Sequence, residues 1–296
     1  MQLLKLQRAV LSENHTTTIS FVAPPGAGQT PEMPELPEVE FAAERLRGAV
    51  QGKVLVEVVP LHPALKRRFP LRHAKLFAGR TLVRIERRAK IQLLVFDDGQ
   101  ILEVHFRMNG DWAFTTAKDG PPPYERIRMV FANGTRVSLV DSRALAVVVR
   151  HAPGALTLPD LGPEPLTDAL HTTGLMAALA LRRAPIKQVL LDQRVIAGIG
   201  NIYASEALWE ARIHPEAPAR SLSKATVAKL IDAIRVVLVR AQGERYHAPS
   251  DPDIDAYEFC VYDREGEPCR RTHRATIHRL IQSGRSTYYC PRCQRL

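Results

Sequence analysis

The chain has 296 residues, 45% of them hydrophobic, enough for two or three domains with real cores. No window approaches the roughly 18 consecutive apolar residues of a membrane span, and the N-terminus lacks the apolar core of a secretory signal. Four cysteines without disulfide-framework spacing fit a reducing compartment, so a soluble cytoplasmic protein is expected. The excess of 41 Lys+Arg over 31 Asp+Glu gives +10 and points to a polyanionic partner, nucleic acid first. Eight arginines (264, 270, 271, 274, 279, 285, 292 and 295) crowd residues 264–296 and suggest a phosphate-binding face there.

Residues 1–32 are polar and unpatterned, end in "APPGAGQTPE", and are expected to be disordered. From Glu35, apolar residues recur at Val39, Ala42, Ala43, Leu46 and Val50, one face of a helix. The β-branched runs "KVLVEVV" (53–59) and "TLVRIE" (81–86) predict strands. Residues 91–106 and 128–140 predict hairpins turning at Asp98-Gly99 and Asn133-Gly134. The first half therefore reads as a β-rich domain with a helix at its front.

After "LPDLGPEPL" (158–166) the period becomes helical, over 168–183, 185–193, 202–212 and 223–241. "AGIGN" (197–201) is a glycine turn feeding a helix N-terminus, where backbone N–H groups can hold an anion. "APSDPDIDAYEF" (248–259) reads as an acidic linker. Its aspartates lack the glycine and terminal glutamate of a calcium loop.

Cys290-Pro-Arg-Cys293 has metal-knuckle spacing. Upstream, Cys269 is followed at +3 by Thr272 rather than cysteine, and at +4 by His273. Cys269, His273, Cys290 and Cys293 make a Cys3His set suited to one structural zinc ion, with His278 or Cys260 as other candidates for the fourth ligand.

"MPELPEVE" (33–40), "RRAK" (87–90), "HFRMNG" (105–110), "LGPEPL" (161–166), "AGIGNIYASEALWEARIHP" (197–215) and "VYDREGEPCR…GRSTYYCPRCQ" (261–294) occur in this order. Together they resemble the formamidopyrimidine-DNA glycosylase family, related to endonuclease VIII, over residues 33 to 296. The resemblance implies an α+β chain: a catalytic β-sandwich domain with a leading helix (33–150), a helix-two-turn-helix domain (158–247) and a zinc ribbon (257–296). It implies base-excision repair by a bifunctional DNA glycosylase and AP lyase acting on damaged double-stranded DNA, without a membrane, as a monomer.

The resemblance makes Pro34 the nucleophile, which requires a free N-terminus. An internal proline nitrogen is a tertiary amide, whereas a terminal one is a secondary amine that can form an iminium with deoxyribose C1′. Removal of Met33 would expose it. Glu35 then becomes the proton-transfer group and Lys90 a phosphate contact at the lesion, with Glu38 as a helper. Asn201 and Arg285 match positions that grip the DNA backbone, Lys187 is a further candidate, and His105 lies in a DNA-facing motif. Met108, Arg143 and Leu145 stand at the three positions that fill the gap left by a flipped nucleotide, Leu145 replacing the usual aromatic residue.

The stretch 250–264 does not match the glycine-containing loop of members selective for 8-oxoguanine. Formamidopyrimidines, oxidised pyrimidines or abasic sites are therefore the expected substrates. A non-catalytic, zinc-dependent DNA-binding protein with Pro34 inside the chain would share these motifs; the N-terminus in the producing cell discriminates the two.

Overall fold

The computed structural model describes residues 33–243 and 258–296. The extension 1–32 and the linker up to residue 257 lie outside the described residues. The first helix, α1 (Leu36–Val50), begins where the Glu38 carboxylate reaches back 2.8 Å to the Glu35 N–H, half of a capping box. The apolar face expected from sequence is the buried one: Val39, Ala42, Ala43, Leu46 and Val50 are at most 2% exposed.

The first domain is antiparallel, with β1 (Val54–Pro60), β2 (Arg80–Arg88), β3 (Ile91–Phe96), β4 (Ile101–His105), β5 (Asp111–Thr115), β6 (Glu125–Phe131), β7 (Arg136–Val140) and β8 (Val147–His151). Their order is β5-β7-β6-β1-β2-β3-β4-β8. Only Val54↔Thr81 and Leu55↔Arg80 join β1 to β2, so the sheet divides there into two four-stranded halves. Leu55, Met129, Phe131 and Leu139 of one half share a core with Leu82, Leu94, Phe96 and Val148 of the other: a β-sandwich. Every residue of β3 is buried. Its one polar member, Gln92, donates to the Val39 carbonyl (2.8 Å) and accepts from Trp112 Nε1 (2.7 Å), so burying it leaves no lost hydrogen bond. Two short helices, α2 (Pro63–Arg68) and α3 (Leu71–Ala74), follow β1.

The second unit contains α4 (Thr172–Leu179), α5 (Ile186–Leu190), α6 (Asn201–Glu210) and α7 (Lys224–Gly243). The first is shorter than its pattern predicts, because His171 Nδ1 accepts from Gly174 N (3.1 Å) and caps it there. The C-terminal hairpin, β9 (His278–Gln282) with β10 (Arg285–Tyr289), has no core of its own. Val261, Cys269, Ile277 and Cys290 belong to the core of the helices. Glu206, wholly buried in α6, accepts the backbone N–H groups of Cys260, Val261 and Tyr262 at 2.8–2.9 Å and ties down the segment that leads into the finger. Among the described residues no helix is long and apolar enough to cross a membrane.

Candidate active site

The start of α1 docks against the glycine turn that opens α6. The Leu36 N–H donates to the Gly198 carbonyl at 3.1 Å. The Glu35 carboxyl, 2% exposed, accepts from Gly200 N (2.6 Å), Ile202 N (2.9 Å) and, more weakly, Tyr203 N (3.4 Å). The anion-binding turn expected at 197–201 thus takes an internal acid: Glu35 occupies the helix N-terminus. Burial raises the Glu35 pKa, against the opposing pull of Lys90 and the three N–H groups. Partly buried Pro34 immediately precedes it.

Gly200 is the residue this packing demands. A Cβ placed there would fall 2.7 Å from Lys90 Nζ and closer still to the Glu35 carboxyl. Both functional groups therefore converge on one point. Gly200→Ala is expected to displace both groups and to lower the melting temperature; an unchanged melting temperature would contradict this geometry.

Glu38 is held by the Tyr203 hydroxyl and by the Glu35 N–H. Burial, reinforced by the Glu35 charge, lifts its pKa to about 7. A raised carboxyl pKa means the native state keeps a proton that the unfolded chain releases above about 4.5, so stability falls as pH rises between there and 7. Glu38→Gln is expected to flatten that fall in a series of melting curves. An unchanged slope would show that Glu38 does not titrate in this window.

Lys90, 8% exposed, sits in the Ala89-Lys90 turn between β2 and β3 rather than within a strand. Ala89 there has φ +53°, and its N–H is fixed by Glu164 (2.7 Å). Glu164 also accepts from Arg87 and Arg88 (2.8 Å each), while Arg87 reaches Glu40 of α1 at 2.6 Å. This clamp, carried by the "RRAK" and "LGPEPL" motifs, joins the sandwich to the segment leading into the helices. His105 ends β4. Burial, then Arg107 and Lys90, push its pKa down to about 4, so it is neutral at pH 7. Its Nδ1 accepts from Arg107 N (3.0 Å), which places the proton on Nε2.

Met108 is partly buried in the turn after β4, and Arg143 and Leu145 are exposed in the loop before β8. That loop is organised by Asp141, which sequence reasoning did not single out. Its buried carboxylate accepts from Arg143 N (3.0 Å), Leu145 N (2.6 Å) and Ala146 N (2.7 Å). Arg285, at the turn of the C-terminal hairpin, is exposed.

Lys187 corrects an expectation. It is 1% exposed, and Nζ donates to Asn201 Oδ1 (2.7 Å), Ser286 O (3.0 Å) and Thr287 Oγ1 (2.7 Å). Three acceptors match its three protons, so it ties the start of α6 to the finger hairpin instead of lying open to a phosphate. The arginine-rich end is corrected in part. Partly buried Arg264 and Arg271 pair with Glu267 and Glu210; Arg270 and Arg279 pair with Glu258 and Glu265 while still exposed, and Arg274, Arg285, Arg292 and Arg295 are exposed as well.

Cys269, Cys290 and Cys293 come together, all sulfurs within 4.8 Å of one another and the pair 269–293 at 3.8 Å. A tetrahedral ion with Zn–S bonds of about 2.3 Å needs sulfurs about 3.8 Å apart, so these residues fit zinc. His273 does not join them. It is exposed at φ +50°, and its backbone N–H is committed to the Cys269 carbonyl (2.8 Å). The buried Trp209 indole of α6 lies beside the Cys269 sulfur, and Arg271 stacks on its ring at 3.8 Å.

A sandwich domain followed by a helical domain is also what family and structural similarity give for this chain. The formamidopyrimidine-DNA glycosylase N-terminal domain matches residues 33–148, and the formamidopyrimidine-DNA glycosylase H2TH domain matches 161–245. A formamidopyrimidine-DNA glycosylase of Erythrobacter litoralis is 40% identical over 274 residues, covering 89% of this chain and all of that protein. That of Chloroflexus aurantiacus is 40% identical over 272 residues, covering 88% and 98%. Among solved structures, the Lactococcus lactis Fpg in complex with abasic-site DNA superposes with a TM-score of 0.81 at 27% identity, covering 88% of this chain and all of the other. The MutM (Fpg) protein of Thermus thermophilus gives 0.75 at 36% identity, covering 88% and 98%. The chain belongs to the formamidopyrimidine-DNA glycosylase family.

Proposed function

We infer that this chain is a base-excision repair enzyme, a bifunctional DNA glycosylase and AP lyase. The observation that carries this reading is the Glu35 carboxyl, next in sequence to Pro34, locked on the α6 N-terminus with Lys90 converging on the same point.

In the working form Pro34 is N-terminal. A terminal amine has a pKa of about 7.7–8.0, so a useful neutral fraction exists at pH 7. Its lone pair attacks C1′ of a flipped nucleotide, and the glycosidic bond breaks with its electrons leaving on the base; the ammonium so formed on Pro34 gives up its N–H proton, which neutralises the departing base anion. The Glu35 proton goes to the ring oxygen as the sugar opens, giving an iminium that needs no proton of its own to be cationic. That charge acidifies C2′. Loss of the C2′ proton expels the 3′ phosphate, and a second elimination expels the 5′ phosphate.

Lys90 and neutral His105 face the lesion phosphates, and Asn201 and Arg285 hold the backbone. Met108, Arg143 and Leu145 fill the gap left by the extruded base. The partner is damaged double-stranded DNA, with ring-opened purines, oxidised pyrimidines and abasic sites ahead of 8-oxoguanine. Cys269, Cys290 and Cys293 would hold one structural zinc ion, which adds rigidity to a hairpin without its own core. Reduced cysteines suit the cytoplasm, and a monomer suffices because every proposed group comes from one chain.

The test is a panel of duplexes carrying each lesion, assayed with protein that begins at Pro34. Base release followed by β,δ-elimination products is expected. Tight lesion binding with neither product would favour a non-catalytic damage-binding protein instead.

A further inference from the structure

The two turns of the finger each close with the same kind of hydrogen bond. Gln294 N donates to Cys290 O at 2.9 Å, and His273 N donates to Cys269 O at 2.8 Å. In each the residue four places after the first cysteine closes the turn. The turns therefore correspond position by position: Cys269 to Cys290, Thr272 to Cys293, and His273 to Gln294. The residue that stands where a fourth sulfur would close the tetrahedron is Thr272, and His273 is the turn-closing residue, exposed and outside the group.

Cys260, the remaining cysteine, is buried and also outside that group. Three sulfurs within 4.8 Å of one another, one pair at 3.8 Å, can form one face of a coordination sphere. Partly exposed Thr272 brings only a short, neutral side chain to the remaining side, and its Oγ1 already accepts weakly from Arg274 N (3.4 Å). A neutral hydroxyl is not among the thiolate, imidazole and carboxylate ligands that zinc takes from proteins.

We propose that the finger ion is held by three thiolates of the chain and by one exogenous oxygen donor from solution, beside Thr272. The inference rests on the zinc reading above. It makes the site an open one, of the three-ligands-plus-water kind, in a position that would otherwise be closed and purely structural. Solution access to the ion follows: chelators and competing small ligands can attack it directly, without prior opening of the hairpin. The finger then exchanges metal on the folded protein, and occupancy tracks available zinc.

X-ray absorption on the zinc-loaded full chain reads the coordination shell directly. Three sulfurs near 2.3 Å and one oxygen at about 2.0–2.2 Å are expected. The same shell is expected in His273→Ala. Thr272→Cys should convert it to four sulfurs and slow transfer of zinc to a chromogenic chelator by about tenfold or more, the scale on which changes around a metal act. Four sulfurs in the wild type, falling to three in Cys260→Ser, would overturn the proposal, as would loss of a nitrogen ligand in His273→Ala. A Thr272→Cys protein with an unchanged shell would overturn it too. Those three results leave the zinc reading standing. A chain that retains no zinc at all sinks both.

Discussion

Glu35→Gln, in a protein that begins at Pro34, is expected to release damaged bases about 10²–10⁴-fold more slowly, the usual worth of a positioned proton donor. The amide cannot pass a proton to the sugar ring oxygen. It also fits its site poorly. Oε2 accepts from Gly200 and Tyr203 and Oε1 from Ile202, so either orientation of the amide sets an NH2 against a backbone donor. One buried N–H left unsatisfied costs about 1–3 kcal/mol. A modest fall in melting temperature should therefore accompany the kinetic loss. DNA affinity should hold, because Arg285 and Asn201 are untouched. A variant that stays folded and excises at the wild-type rate would remove Glu35 from the chemistry.

Blocking Pro34 should be more severe still. With Met33 or anything longer attached, the proline nitrogen is an amide whose lone pair is delocalised into the carbonyl. Neither attack on C1′ nor an iminium is then available, and both base release through this route and strand nicking should vanish. Binding should survive, since Asn201 and Arg285, the residues proposed to hold the DNA backbone, lie on α6 and the finger.

Much of the fold was legible because the patterns were local. One apolar stripe predicted α1, and the Asp-Gly and Asn-Gly pairs marked two hairpins whose strands pair as expected. Strands β5 and β8 were not read. "DWAFT" and "VVVRH" are five residues each and follow loops singled out for other reasons, too short to establish a period. The proposed catalytic pair, Pro34 and Glu35, was named from "MPELPEVE", and "GIGN" was taken as an anion-binding turn, which the Glu35 carboxyl fills. That the acid came from residue 35 was a tertiary fact, a contact across more than 160 residues.

Lys187 was misplaced for the same reason: two of its acceptors lie 99 and 100 residues on, and nothing near it in sequence distinguishes a buried tie from a surface cation. His273 was chosen by residue type at about the right spacing. The backbone turn, which spacing alone does not specify, gives the ligand position to Thr272. Asp141 and Trp209 carried no sequence signal of their own; only their contacts explain them.

The proposed role of Pro34, as a free amine, is that of the nucleophile. It is tested most directly by borohydride trapping on a lesion-bearing duplex with two forms of the protein, followed by peptide mapping of the adduct. One form begins at Pro34; the other is the 296-residue chain, kept unprocessed and verified by intact mass. The short form should give a covalent adduct that maps to Pro34, and the long form should bind the duplex and give none. An adduct at an internal lysine in the long form, formed at the full rate, would contradict the proline mechanism.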